Sequence, residues 1–269
     1  MTAATRRLSS RAPKAWAAVS AALLLPLVVI DGGVTASPAS ASAICWAGPA
    51  VVRGNSWLLG GAYHSGGSQV ATRSFSYGRA GDQPFFGQWD SRSVSSAPGV
   101  VRGATWYLRR TQSSGPANIT FTYGRIGDIH VVGDWNGDGI DTPGVVRGNT
   151  WYLRNSNTPG PADVTFTFNA AGTPTVYHLL GQPTAVATFN AGTWSVRTEQ
   201  TTGPADFTAR WGQAGDFPLG GGFYVSDPDC TSPSLGYVRS NGWHISGDQN
   251  APTTFGYGRP GDRFLSQHY

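Results

Sequence analysis

Pro98-Gly99-Val100-Val101-Arg102-Gly103-Ala104-Thr105-Trp106-Tyr107-Leu108-Arg109 returns almost letter for letter as Pro143-Gly144-Val145-Val146-Arg147-Gly148-Asn149-Thr150-Trp151-Tyr152-Leu153-Arg154. Weaker copies start at Pro49 and near Ala187 and Ser234. The anchoring tryptophans, Trp57, Trp106, Trp151, Trp194 and Trp243, follow one another at steps of 49, 45, 43 and 49 residues. A period of this size marks one supersecondary unit used several times.

Working outward from the repeat, each unit divides into four short runs separated by glycine- and proline-rich turns. In the best-formed stretch these are His130 to Trp135, Gly144 to Arg147, Thr150 to Arg154 and Val164 to Phe168. Val, Thr, Trp, Tyr and Phe dominate them, as strand propensity favours. No sustained 3.6-residue apolar stripe runs through the chain after its first 43 residues. Four strands at a period of about 45 residues is the arithmetic of a propeller blade. The expected fold class is all-β, a five-bladed β-propeller. Its first unit begins at Val51-Val52-Arg53 and lacks a first strand, while Arg263 to Tyr269 supplies one after the last Gly261-Asp262 turn. The C-terminal strand is therefore expected to complete the blade that the N-terminus starts, which leaves no open sheet edge. Ala171 to Ala191 is degenerate, so whether that repeat forms a full blade stays open.

The ends of the chain place this domain at residues 44–269. Arg6, Arg7, Arg11 and Lys14 precede an apolar run from Ala15 to Ile30, and a small-residue tail ends in Ala41-Ser42-Ala43. That order reads as a cleavable signal peptide over residues 1–43 and implies a secreted protein. The apolar run is short for a span and contains Pro26, so no membrane span is expected after cleavage. Without this segment, 15 arginines face 14 acids, and the net charge falls from +4 to about +1. A nearly neutral balance gives no electrostatic case for nucleic-acid binding. The two cysteines, Cys45 and Cys230, read as a disulfide pair in an exported protein.

Two features invite opposite readings. The repeated tryptophans are either sugar-stacking platforms or inter-blade packing, and the alternating strand after each favours packing. The turns Gly81-Asp82, Gly127-Asp128, Gly215-Asp216 and Gly261-Asp262 suit turn chemistry, since Asp bonds nearby backbone and Gly accepts positive φ. One loop differs. In Asp134-Trp135-Asn136-Gly137-Asp138-Gly139-Ile140-Asp141, oxygen-bearing residues alternate, and glycine follows the third of them. Such a loop can wrap a hard cation, Ca²⁺, with the Ile140 carbonyl adding a neutral oxygen and Asp141 closing the shell. Carboxylates and an amide suit calcium better than zinc. An EF-hand is excluded by the flanking strands and by Val145 at its twelfth position.

The stretch Val131 to Val145 around this loop resembles the FG-GAP/VCBS-type repeat, the family that includes the integrin α-chain propeller and that recurs in exported actinobacterial proteins. The resemblance implies a propeller with one calcium held by Asp134, Asn136, Asp138, Asp141 and the Ile140 carbonyl, in a structural role. The chain departs from the commonest pattern, because Thr142 stands where the closing aspartate is expected and Asp141 comes one residue early. The metal loop occurs once. The first unit has Gln88, Asp90 and Arg92 there, the third has Gly181 to Thr184, and the fourth has Asp227 and Asp229 irregularly spaced.

The function expected from this reading is a non-catalytic, calcium-binding extracellular module for carbohydrate or a surface protein. Repeated weak sites raise avidity, and Tyr107, Arg109, Tyr152 and Arg154 are the candidate ligand contacts. The alternatives are a glycoside hydrolase-like propeller enzyme or a purely structural, adhesive protein. Hydrolysis of glycosides needs two carboxylates in different environments. Here Glu199 is the lone glutamate, and most aspartates sit at repeat positions or in the metal loop. His64, His130, His178, His244 and His268 form no motif with a nucleophile, so no catalytic residue is expected.

Overall fold

The computed structural model describes residues 48–61, 67–93, 96–178, 181–223, 234–246 and 252–267. Residues 1–43, read above as a signal peptide, lie outside the described residues with Cys45 and Cys230, as does the disulfide expected between those cysteines. Every element formed by the described residues is a strand. The first three are β1 (Pro49–Arg53), β2 (Ser56–Gly60) and β3 (Ala71–Ser76). Four sheets' worth of strands follow: β4 (Gln83–Gly87), β5 (Ala97–Arg102), β6 (Thr105–Leu108) and β7 (Ile119–Thr122); then β8 (Ile129–Gly133), β9 (Thr142–Arg147), β10 (Thr150–Leu153) and β11 (Val164–Thr167). The degenerate repeat supplies β12 (Thr173–Tyr177), β13 (Ala185–Asn190), β14 (Thr193–Arg197) and β15 (Phe207–Arg210). Last come β16 (Phe217–Phe223), β17 (Ser234–Arg239), β18 (Gly242–Ile245), β19 (Thr253–Gly256) and the lone β20 (Arg263–Ser266).

These strands form five four-stranded sheets, and β20 joins the N-terminal one in the order β20-β1-β2-β3. Its register is antiparallel, with Pro49 opposite Ser266 and Val51 opposite Phe264. The five first strands touch in a cycle: β20 meets β4, then β8, β12, β16 and β20 again. The fold is thus a five-bladed β-propeller closed by its C-terminal strand. The degenerate repeat makes a full blade, its second strand pairing from Thr173↔Phe189 to Tyr177↔Ala185. Because successive strands reverse direction, the second-to-third hairpins and the blade-to-blade connections share one face of the ring, the turn face. The first-to-second and third-to-fourth connections share the other, the loop face.

Each anchoring tryptophan is buried on the third strand of its blade. Trp57, Trp106, Trp151 and Trp243 stack on Phe75, Phe121, Phe166 and Phe255 of the fourth strand. The indole N–H groups of Trp57, Trp106, Trp194 and Trp243 donate to the carbonyls of Tyr77, Tyr123, Trp211 and Tyr257. The polar handle of each ring is thereby satisfied inside the core, as a buried tryptophan requires. Platforms buried this way offer no face to a sugar. Tyr123 and Tyr257 wedge in beside them, and burial pushes their hydroxyls up to about 12, so they stay neutral.

The Gly-Asp turns carry a second repeated device. Asp82, Asp128, Asp216 and Asp262 receive two guanidinium bonds each from Arg102, Arg147, Arg239 and Arg53. Each also accepts the N–H three residues earlier, at Arg79, Arg125, Gln213 and Arg259. A bidentate fork of this kind fixes geometry as well as charge, and here it ties every such blade connection to the second strand of the incoming blade. Burial alone would raise the Asp128 carboxyl, but the Arg147 bonds, the Arg125 amide and the Arg147 charge hold it below the ordinary range. For Asp216 the bond from Arg239 leads and outweighs burial.

Removing residues 263–269 is expected to reopen the first blade and expose the edge of β1. The truncated protein should aggregate or lose its single cooperative melt, and an unchanged melt by calorimetry would overturn the closure. The lowered Asp128 and Asp216 carboxyls make a second prediction. A folded value below the unfolded one contributes stability above about pH 4 that is lost as pH falls through the folded value. The melting temperature should therefore drop below pH 4, and Asp128→Asn should start lower by several degrees at pH 7 and fall less steeply.

Candidate functional site

Two places on the ring carry chemistry beyond packing: the Asp134–Asp141 loop on the loop face, and the central channel. In the loop, Asp134 accepts the N–H groups of Gly137 at 2.8 Å and Asp138 at 3.1 Å on Oδ1, and that of Gly139 at 2.8 Å on Oδ2. Asp138 accepts the Ile140 amide at 2.9 Å and the Asn136 side-chain amide at 2.9 Å. Asp134, Asn136, Asp138 and the Ile140 peptide therefore belong to one tight turn, permitted by positive φ at Gly137 and Gly139.

Asp141 does not join them. It is buried, and its Oδ2 accepts the Gln88 N–H from the preceding blade at 2.8 Å, while its own N–H donates to the Gln88 carbonyl at 2.7 Å. One blade further on, Thr184 does the same: its hydroxyl accepts the Asp134 N–H at 3.0 Å and its N–H donates to the Asp134 carbonyl at 2.6 Å. Asp141 and Thr184 both immediately precede the second strand of a blade, so they are equivalent positions. Each is a clasp between neighbouring blades. The approach is close enough that a Cβ on Gly87 would lie 3.0 Å from the Asp141 Cβ, and one on Gly133 would lie 2.7 Å from the Thr184 methyl. Asn157 and Gln200 reinforce these clasps by donating across the blade boundary to the Trp89 and Trp135 carbonyls.

Calcium takes six to eight oxygen ligands. Among the described residues no group of three or more His, Cys, Asp and Glu could share an ion. With Asp141 turned away, the loop offers two carboxylates, the Asn136 amide and the Ile140 carbonyl. This set fits a hard cation in chemistry and needs water to complete its number.

The four candidate ligand contacts each have partners within the protein. Tyr107 and Tyr152 are half-buried against the clusters of the preceding blades. Arg102 and Arg147 lie over their rings at 5.0 and 4.8 Å, a cation–π contact. Arg109 donates to Ser113 and to the Pro116 carbonyl. Arg154 donates to the Thr158 and Pro161 carbonyls. Both guanidinium groups shape the third-to-fourth loop of their own blade.

The channel was not singled out by the repeat, and it is the larger site. It has a volume of about 550 Å³ and is lined by all five first strands, within the range of small-molecule pockets. Gln83, Ile129, Thr173, Phe217 and Arg263 are the first residues of these strands, ring its turn-face mouth and are exposed. Deeper, the His130 Nδ1 stands 2.9 Å from the Gln83 Oε1, which requires the Nδ1–H tautomer. Burial pushes the His130 imidazole below the ordinary histidine value against the pull of Asp128, so the ring is neutral. Its Nε2 is buried without a hydrogen-bond partner among the described residues, and the ring sits edge-on to Trp106.

No protein-family model matches the chain, and no curated protein does. Among solved structures the chain is similar to BBS1N in its complex with ARL6DN, at 13% identity and a TM-score of 0.41, over 79% of this chain and 65% of that one. The chain thus spans less than two thirds of that neighbour's length, and the fold assignment rests on the strand order above.

The clasp is tested by its own repeat. Asp141→Ala should destabilise the protein by about 1–3 kcal/mol, the cost of leaving the Gln88 N–H without its acceptor. Asp141→Thr, which copies Thr184, should recover most of that in a denaturant titration; equal loss in both variants would remove the equivalence.

Proposed function

We propose that this chain is an exported, non-catalytic binding module that holds an extracellular carbohydrate, with one structural calcium in the Asp134 loop. The observation that carries the reading is the state of the carboxylates around the ring. Asp82, Asp128, Asp216 and Asp262 are each locked by an arginine fork. Asp134 and Asp138 are taken by loop amides, and Asp141 by the Gln88 amide. General acid and base work on a glycosidic bond needs two carboxylates flanking the sugar; these seven are committed to turns and clasps, and Asp90, Asp163 and Asp206 pair with Arg110, Arg154 and Arg197. The channel, in contrast, is concave, walled by apolar strands and rimmed by a few polar groups, the makeup of a binding pocket.

Calcium would be held by Asp134, Asn136, Asp138 and the Ile140 carbonyl, with water, and would pin a turn that already closes on its own amides. Its role is to stiffen one loop, and the ring does not depend on it. Export rests on the basic, apolar and small-residue order of the first 43 residues.

The direct test is a glycan and polysaccharide panel run on the purified protein in calcium and in EDTA. Saturable binding to a glycan supports the module, whereas no binding in either condition would overturn it and point to protein adhesion. Calcium should also raise the melting temperature. Asp134→Ala combined with Asp138→Ala should abolish that gain and Asp141→Thr should keep it; loss of the gain in Asp141→Thr would return Asp141 to the metal shell.

A further inference from the structure

The five residues at the channel mouth occupy equivalent places in the five blades, yet they are glutamine, isoleucine, threonine, phenylalanine and arginine. Elsewhere the repeat keeps its chemistry: the tryptophans recur in all five blades, and the Gly-Asp turns with their arginine forks recur in four. At the mouth it does not. A ring of five different side chains around one opening is suited to a single ligand with different groups on different sides.

The polar members of this ring point to the sign of that ligand. Arg263 is exposed and has no carboxylate partner among the described residues. Gln83 spends its Oε1 on the His130 Nδ1–H, which leaves its Nε2 donors for the opening. Thr173 adds a hydroxyl. The carboxylates nearest the mouth, Asp82, Asp128, Asp216 and Asp262, immediately precede four of the five mouth residues, and their side chains are only 4, 4, 1 and 3% exposed behind their arginines. Acceptors are withdrawn and donors remain. Between them around the ring, Ile129 at 45% exposure, flanked by Gln83 and Thr173, and Phe217 at 43%, flanked by Thr173 and Arg263, give branched and flat apolar surface.

The surrounding turn face extends the same bias. Arg79, Arg125 and Arg259 stand at the equivalent position of three blade connections, are exposed, and form no ion pair among the described residues. The near-neutral total therefore hides a separation of charge, with a cationic turn face around the channel. Such a face raises the local concentration of an anionic ligand and speeds its capture.

We infer that the channel mouth binds a carboxylate-bearing sugar unit of an acidic polysaccharide, with the carboxylate on Arg263, hydroxyls on Gln83 and Thr173, and the sugar face against Phe217. The outer arginines hold the flanking units of the chain. This inference rests on the carbohydrate reading above and narrows it to acidic glycans at one named site.

The test is calorimetric titration of the full protein with a galacturonate oligomer, its methyl-esterified neutral form and double-stranded DNA. The acidic oligomer should bind saturably, and esterification should weaken it about tenfold or more, the scale of one lost charge-paired contact. Arg263→Gln should cost about tenfold and Arg263→Lys less, because the charge stays and the fork is lost. Phe217→Ala should cost several-fold in affinity while the protein keeps its cooperative melt, Phe217 being 43% exposed. Arg79→Gln should mainly reduce the salt dependence. Equal affinity for DNA and the acidic oligomer, insensitive to Arg263 and Phe217, would overturn the site in favour of a nonspecific basic face. Binding of the neutral oligomer alone would overturn this inference and leave the carbohydrate reading standing. Binding of no glycan would remove both.

Discussion

The closure of the ring is the constraint on which everything else depends. A four-stranded blade here has two apolar faces and too little area to bury both within itself. Each face must be covered by a neighbouring blade, and the last must meet the first. Pairing of β20 with β1 converts five dependent sheets into one unit, because the blade that receives β20 contains both ends of the described domain. It also places Arg263 and Phe264 among the first strands, so the act that closes the fold completes the channel. Stability and channel are built by the same strand.

Around that closure, polar groups do two different jobs on the two faces. On the turn face, each aspartate serves the backbone turn and an arginine at once, which removes its charge from the surface while fixing the connection. On the loop face, a side-chain oxygen before the second strand grips the peptide that leaves the first strand of the blade before it. These clasps let blades with unlike loops keep one spacing. The degenerate blade shows how much can be lost: Asn190 stands where the others carry the fork arginine, Gly172 precedes its first strand where the others carry aspartate, and the sheet still forms four strands. Apolar packing around Trp194 and Val196, both buried, carries it.

Much of this was legible in the sequence, because packing leaves a periodic trace. Tryptophan recurring every 43 to 49 residues gives the blade count, and the orphan strands at the two ends give the closure. Asp141 pairs with Gln88 in a way the spacing does not show, for a physical reason. Its neighbours match a cation loop, and spacing alone cannot say which way a side chain turns when the next residue starts a strand. The signal that resolves it is internal: Asp141 aligns with Thr184, and glycines at 87 and 133 mark where the clasp needs room. Tyr107, Arg109, Tyr152 and Arg154 stand out because they repeat, and their contacts within the protein repeat with them.

The channel mouth was missed for the complementary reason. Reading by repeat treats positions that vary as noise, and Gln83, Ile129, Thr173, Phe217 and Arg263 vary completely. Only after the ring closes do five positions far apart in the chain become neighbours, and only then does their variety carry meaning. The charge separation was hidden similarly, since net charge sums over two faces that the alternating strand direction keeps apart. In a closed repeat protein, the positions that agree among blades build the scaffold. A single binding site at the axis must be made from positions that disagree, because an opening shared by five blades can treat the sides of one ligand differently only if the blades differ there.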